Sequence, residues 1–332
     1  MTRLNTKYLG MELRSPIVVS ACTLSEELDN ILRMEDVGAG AVVMFSMFEE
    51  QIRKEDERMK HIMQSTSHVF AEASDFFPDL DEYHVATHKY LETIRKAKER
   101  VHIPIIGSLN GITPQGWIEY GQQLEQAGAD ALEINIFYIP ADLRLTGQDV
   151  EQRYIDIIQL LKKTVNIPIA VKLNPYFSAI GNMSQRMKEA GADGLVLFNR
   201  FYQPDYDILQ LKVVHDLAYS ESAEIRLPLL WIAILSGQLD LSLAATTGVQ
   251  SAREVIKYLL AGADVTMTAS ALYKNGISYI GTMERALLLW MDSMGFQNLG
   301  YFKGVMNQKN ISDPTAYERA NYIRILEGAK HS

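Results

Sequence analysis

Cysteine is almost missing from this chain. Cys22 is the only one in 332 residues, which excludes an intramolecular disulfide framework and a thiolate-built metal cluster. A reducing compartment is the expected setting. No stretch approaches the ~18 uninterrupted apolar residues of a spanning helix, and residues 1–16 lack the long apolar core of a secretory signal. The protein is expected in the cytoplasm, away from membranes. Positive charge is also in deficit: 32 Lys and Arg stand against 41 Asp and Glu, a formal net charge of −9. Phosphate backbones reward clustered cations, so general nucleic-acid binding is excluded. Neither a glycine-rich dinucleotide fingerprint nor a P-loop is present. His84 and His88 are spaced to share a helix face but have no third ligand nearby, so no metal site is expected.

What the chain does have is apolar residues, 47% of the total, with a mean hydropathy of −0.06. Such a composition suits a globular protein with a large core. Eight short apolar runs recur, each followed by a stretch able to form a helix: 17–20, 42–45, 105–108, 131–135, 169–172, 194–198, 242–246 and 264–268. Their near-continuous apolar character fits parallel strands covered on both faces. Ala-Gly-Ala-Asp precedes the fourth, sixth and eighth runs, and Val-Gly-Ala-Gly the second. Each such glycine can end a helix in the left-handed conformation. Pro16, Pro104 and Pro168 instead head odd-numbered runs, where a strand needs no ladder donor. This alternation predicts an α/β fold, a (β/α)8 TIM barrel formed by residues 1–332 as a single domain. A doubly wound open sheet is the structural alternative.

Two segments exceed ordinary connections. Residues 49–90, after the second run, read as a helix plus a lid over the barrel mouth, with Glu49 and the charges at 50–58 on a solvated helix face. Residues 200–238, after the sixth run, contain Leu229–Ile234, read as an extra strand or a buried segment. Both insertions follow the C-terminal ends of their strands, the end that carries chemistry in this fold.

Polar residues at strand ends are the candidate site. Lys172 closes the fifth run among apolar neighbours. One reading pairs it with Glu133; the other aims its cation at an anionic ligand or at the N1–C2 carbonyl edge of a flavin. Asn135 and Asn199 close the fourth and sixth runs, and an amide can serve a ring edge as donor and acceptor. Ser20, with Ala21 beside it, and Ser46 close the first two runs with small groups able to approach a ring. The seventh and eighth runs end in Thr246-Thr247-Gly248-Val249 and Thr268-Ala269-Ser270-Ala271, small residues whose backbone amides can cradle a phosphate.

Taken in order, Pro16–Ala21, Ala127–Asn135, Ala170–Pro175, Gly191–Asn199, Thr246–Val249 and Ala261–Asp264 resemble the dihydroorotate dehydrogenases. The similarity runs from about Leu9 to about Gly295. It implies an FMN-dependent oxidoreductase acting on CH–CH groups, of the soluble branch and therefore homodimeric. Lys172 would lie by the flavin, Asn135 and Asn199 would contact flavin or substrate, and Thr247, Gly248, Ala269 and Ser270 would hold the phosphate. External nicotinamide would then have to be served through an electron-transfer partner.

Three motifs depart from the family. Met44-Phe45-Ser46 stands where the soluble branch has Thr-Lys-Ser, so its second flavin lysine is missing. Asn135-Ile136-Phe137-Tyr138-Ile139-Pro140 replaces Asn-Leu-Ser-Cys-Pro-Asn, so Tyr138 takes the place of the Cys or Ser base. The substrate loop Asn-x-x-Gly-Leu-Pro-Asn is degraded to Ala73–Asp79. A phenol with an ordinary pKa of ~10 is a poor base but a serviceable acid at neutral pH. The expectation is therefore that Tyr138 protonates an activated alkene that reduced FMN attacks at its other carbon, with aromatic packing by Tyr138 as the alternative. Two other functions stay open: a Schiff-base lyase or aldolase with Lys172 as nucleophile, and a flavin or nucleotide binder without catalysis.

Overall fold

The chain begins with a short antiparallel hairpin, β1 (Thr6–Tyr8) and β2 (Met11–Leu13). Each of the eight expected runs then forms a strand: β3 (Ile17–Val19), β4 (Ala41–Phe48), β5 (Ile105–Asn110), β6 (Ala131–Asn135), β7 (Ile169–Leu173), β8 (Gly194–Leu197), β11 (Ser242–Ala245) and β12 (Val265–Thr268). In this computed structural model the eight strands close into one parallel barrel, in the order β11-β12-β3-β4-β5-β6-β7-β8, and helices separate them. The fold is a (β/α)8 barrel. Residues 2–50, 52, 85–200, 204–214, 217–318, 322, 323 and 327 are described.

The repeats have a physical role beyond punctuation. Gly38, Gly128, Gly191 and Gly262 all take φ between +96° and +109°, reversing the chain after a helix at no Cβ cost. The aspartate two residues after three of these glycines then anchors a neighbouring strand. Asp130 accepts from the Ile105 amide at 2.7 Å, Asp193 from Ile169 at 2.8 Å and Asp264 from Leu243 at 2.8 Å. Each is also paired with a lysine, Lys98, Lys162 and Lys303 respectively. The prolines complete the scheme as acceptors only, since the carbonyls of Pro16, Pro104 and Pro168 receive the amides of Thr266, Val42 and Leu132.

Alternation along the strands divides the core in two. Val18, Ala41, Val43, Ile106, Ala131, Ala170, Val196, Ala244, Val265 and Met267 point inward and meet Tyr8, Leu9 and Leu13 of the hairpin. Their alternate neighbours, such as Ile17, Val19, Val42 and Ile105, pack against the helices. The hairpin therefore stoppers the end of the barrel where strands begin: the Leu9 amide donates to Ser242 Oγ at 3.0 Å, and a Cβ on Gly194 would lie 2.6 Å from Leu9. Small residues in the lowest layer leave room for the Tyr8 ring.

Two expectations need correction. Of the two readings of Leu229–Ile234 the extra strand fails and the buried segment is nearer: it belongs to the helix Arg226–Leu235, with Ile232 and Ala233 buried. An apolar run this short has no period that separates a buried helix from a strand. Glu49 is not on a solvated face. It is 1% exposed, and its carboxylate accepts from the backbone amides of Ile112 and Thr113 and from the Thr113 hydroxyl. Most of the segment read as a lid, including residues 53–58, Ala73–Asp79 and His84, lies outside the described residues. After β8 the chain forms a second hairpin, β9 (Asp205–Asp207) with β10 (Lys212–Val214).

Candidate active site

The ends of the barrel strands surround one cavity. Ser20 and Ala21 reach it from β3, Ser46 from β4, Asn135 from β6, Lys172 from β7, Phe198, Asn199 and Arg200 from β8, Thr246–Val249 from β11, and Met267–Ser270 from β12. Of the sequence candidates, Ser20, Ala21, Ser46, Asn135, Lys172, Asn199, Thr246–Val249 and Thr268–Ser270 line it, whereas Tyr138 and Ala271 do not.

The floor is polar. Lys172 Nζ donates to Glu133 Oε1 at 3.1 Å, with side-chain exposures of 11% and 1%. The pairing with Glu133 that one reading expected is present, and the same lysine also lines the cavity. Asn135 is opposite Lys172 in the β6–β7 register, and its Oδ1 accepts from Asn199 Nδ2 at 2.7 Å. Ser46 and Ser108 share a hydrogen bond at 2.9 Å on the neighbouring wall.

The opposite wall is made of backbone and hydroxyls. Thr247 and Gly248 both have positive φ, +76° and +75°, and for a β-branched threonine that conformation is a true outlier. Strain of this kind persists where surroundings over-determine it and clusters at ligand sites. Here the Thr247 hydroxyl donates to the Phe198 carbonyl at 3.1 Å, and the buried Tyr258 hydroxyl donates to the Thr247 carbonyl at 2.9 Å. A Cβ on Gly248 would lie 2.9 Å from the Glu221 carbonyl oxygen and 2.6 Å from Ile225, so the position requires glycine twice over.

Ser220 joins these pieces and was missed in the sequence. Its Oγ accepts from the Gly248 amide at 3.3 Å and contacts Ser270 Oγ at 3.0 Å, while Gln250 and Lys274 donate to its carbonyl. It lies in a long connection without periodicity, so no local signal marked it. Arg200 was also missed; it is held by Glu224, with Nε to Oε2 at 2.9 Å.

Tyr138 stands apart. It is not among the residues lining the cavity; its ring carries the Arg153 guanidinium 4.5 Å from the centroid. Tyr154 fixes the start of the same loop, donating to the Ile136 carbonyl at 2.8 Å, and burial pushes its phenol up to about 12. Cys22, beside the site, has its thiol pushed up mainly by burial.

A cavity walled by residues from most of the strand ends of a closed eight-stranded barrel defines the class, an α/β-barrel enzyme. The chain belongs to the dihydroorotate dehydrogenase family, whose model matches residues 3–291. It is similar to proteins named dihydroorotate dehydrogenase B (NAD(+)), catalytic subunit, from several archaea. The one from Methanocaldococcus jannaschii is 26% identical over 281 residues, covering 82% of this chain and 88% of the relative. The one from Thermoplasma acidophilum is 24% identical over 310 residues, covering 92% and 99%.

Proposed function

We propose that this chain is an FMN-dependent oxidoreductase that acts on a carbon–carbon bond of a small polar substrate, as in the dihydroorotate–orotate pair of pyrimidine biosynthesis, and that the bond can belong to a different activated alkene. One observation carries the reading: a partly buried cation and two strand-end amides face backbone amides and hydroxyls across a single cavity. The donor set fits FMN. Lys172, Asn135 and Asn199 suit the polar edge of an isoalloxazine, with Ser20, Ala21 and Ser46 lining the ring's approach. Thr247, Gly248, Ala269 and Ser270 suit its phosphate. When bound, the cofactor supplies two-electron transfer at adjacent carbons.

Lys172 is assigned the catalytic task of balancing negative charge that develops on the ring. The Schiff-base alternative fits the geometry less well, because Glu133 holds the amine by a hydrogen bond at the floor of the cavity instead of leaving it free to approach a carbonyl. Tyr138 is assigned the acid that protonates the substrate carbon, which requires the loop after β6 to bring its phenol to the cavity. Tyr138→Phe tests that role directly: turnover with an activated alkene should fall ~100-fold, within the usual range for a general acid. Unchanged turnover would remove it.

The relatives are named as catalytic subunits of an NAD(+)-type enzyme, which supports an electron-transfer partner for this chain. A homodimer is supported by the β9–β10 hairpin, where Ile208, Leu209 and Leu211 are 80–90% exposed and an apolar surface awaits a cover. No helix among the described residues is long and apolar enough to cross a membrane, in keeping with a cytoplasmic setting.

The visible spectrum of the purified protein is the primary experiment. A flavin band, with FMN released on denaturation, is expected. Colourless protein that fails to bind added FMN overturns the proposal. Flavin that binds, but that no candidate donor reduces and no substrate reoxidises, would mark a binder without catalysis.

A further inference from the structure

Among the described residues three carboxylates are almost fully buried: Glu49, Glu133 and Glu254. Glu49 receives two backbone amides and a hydroxyl. Glu254 receives the Ser251 amide and hydroxyl at its helix start. Glu133 differs. Its Oε1 takes Lys172 Nζ, but its Oε2 is buried with no hydrogen-bond partner. A buried carboxylate oxygen without a donor destabilises the fold. Fold stability therefore does not explain a glutamate at this position.

The surroundings add to the cost. Tyr8, at 0% exposure in the hairpin stopper, also has an unpartnered hydroxyl, and its phenol is pushed up first by burial and next by the charge of Glu133. Glu133 is level with Ser108 and Ala170 in the strand registers, one layer below Asn135 and Lys172. It does not line the cavity, whereas Lys172 does. The carboxylate thus meets the cavity's contents only through the ammonium above it.

We propose that Glu133 is a positioning residue: it fixes the Lys172 ammonium beneath the cavity and withholds part of that positive charge from the ligand above, so setting the reduction potential of a flavin bound there. The inference rests on the flavin reading given above. A carboxylate under the lysine opposes accumulation of negative charge on the ring, and the lysine favours it. Their pairing holds the cofactor between the two extremes, which suits a flavin that must both accept electrons and release them.

The test is Glu133→Gln, which keeps size and removes charge. In the FMN-loaded protein the ratio of reduced to oxidised flavin at a fixed electrode potential should rise at least about tenfold, ~30 mV for a two-electron couple. Glu133→Asp should fall between the wild type and Glu133→Gln, and it carries the test if the glutamine variant does not fold. A second readout needs no flavin. In apoprotein treated with acetic anhydride, Lys172 should acetylate several-fold faster in Glu133→Gln than in wild type, measured by peptide mass spectrometry against exposed Lys7 as internal standard. An unmoved potential in flavin-loaded Glu133→Gln overturns the proposal, and so does wild-type labelling of Lys172. A wild-type protein that takes up no flavin sinks the functional reading and the potential-setting role with it, and the labelling rate then decides whether Glu133 fixes Lys172 at all.

Discussion

The side-chain amide of Asn199 donates to the side-chain carbonyl of Asn135 at 2.7 Å, tying the ends of β8 and β6 together across the intervening β7. Neither side chain can turn without releasing the other, so the pair presents one fixed pattern of donors and acceptors to the cavity. Asn199→Ala is expected to weaken FMN binding at least about tenfold, ~1.4 kcal/mol, in a fluorescence-quenching titration. Affinity equal to wild type would show that the pair only braces the strands.

Removing the cation should cost more than removing the pair. Lys172→Met leaves Glu133 buried without its counter-charge, and losing one partner of a buried pair costs ~3–5 kcal/mol. Urea unfolding should show that loss, and Lys172→Met with Glu133→Gln should recover most of it. A single variant as stable as wild type contradicts the burial of Glu133.

Asp193 tests the repeat. Its carboxylate holds the Ile169 amide at 2.8 Å and Lys162 at 2.9 Å, but both partners of the ion pair are about a third exposed, so the charge itself contributes little. Asp193→Ala should destabilise by ~1–3 kcal/mol through the lost amide acceptor. Asp193→Asn, which retains an acceptor, should lose less than half as much. Equal losses would assign the stability to charge instead.

Alkaline pH should unfold the protein. Burial raises the phenols of Tyr8, Tyr90, Tyr154 and Tyr258 above the ordinary value of 10.0. An acid whose folded pKa lies above its unfolded one stabilises the fold fully below the unfolded value and loses that contribution as pH rises through the folded value. Stability to urea should therefore fall above pH 10, with the Tyr154 contribution gone past about 12. A flat profile between pH 10 and 12 would mean that these phenols ionise as freely as exposed ones.

The barrel was legible because its signals are local and repeated. Glycine, aspartate and proline each mark a strand entrance chemically, and the apolar runs supply the strands between. The strand-end residues followed from that frame, so Lys172, Asn135, Asn199 and Gly248 could be placed before any coordinates. Ser220 could not, because its contacts with Gly248 and Ser270 span 28 and 50 residues and leave no pattern in the chain around it. Glu49 was misread for a related reason. A charge at the head of a charged run looks solvated until the strand before it is seen to carry it under Thr113. Tyr138, which takes the base's position in the motif, has its ring under Arg153 and outside the cavity lining, a placement that the motif alone could not give.

The β1–β2 hairpin has a kinetic consequence. Tyr8 and Leu9 fill the end where the strands begin, so among the described residues that end is closed to a ligand. If the proposed flavin takes both its reductant and its oxidant directly from bulk solvent at the opposite rim, the two must visit in turn, and initial-rate plots against both should be parallel lines.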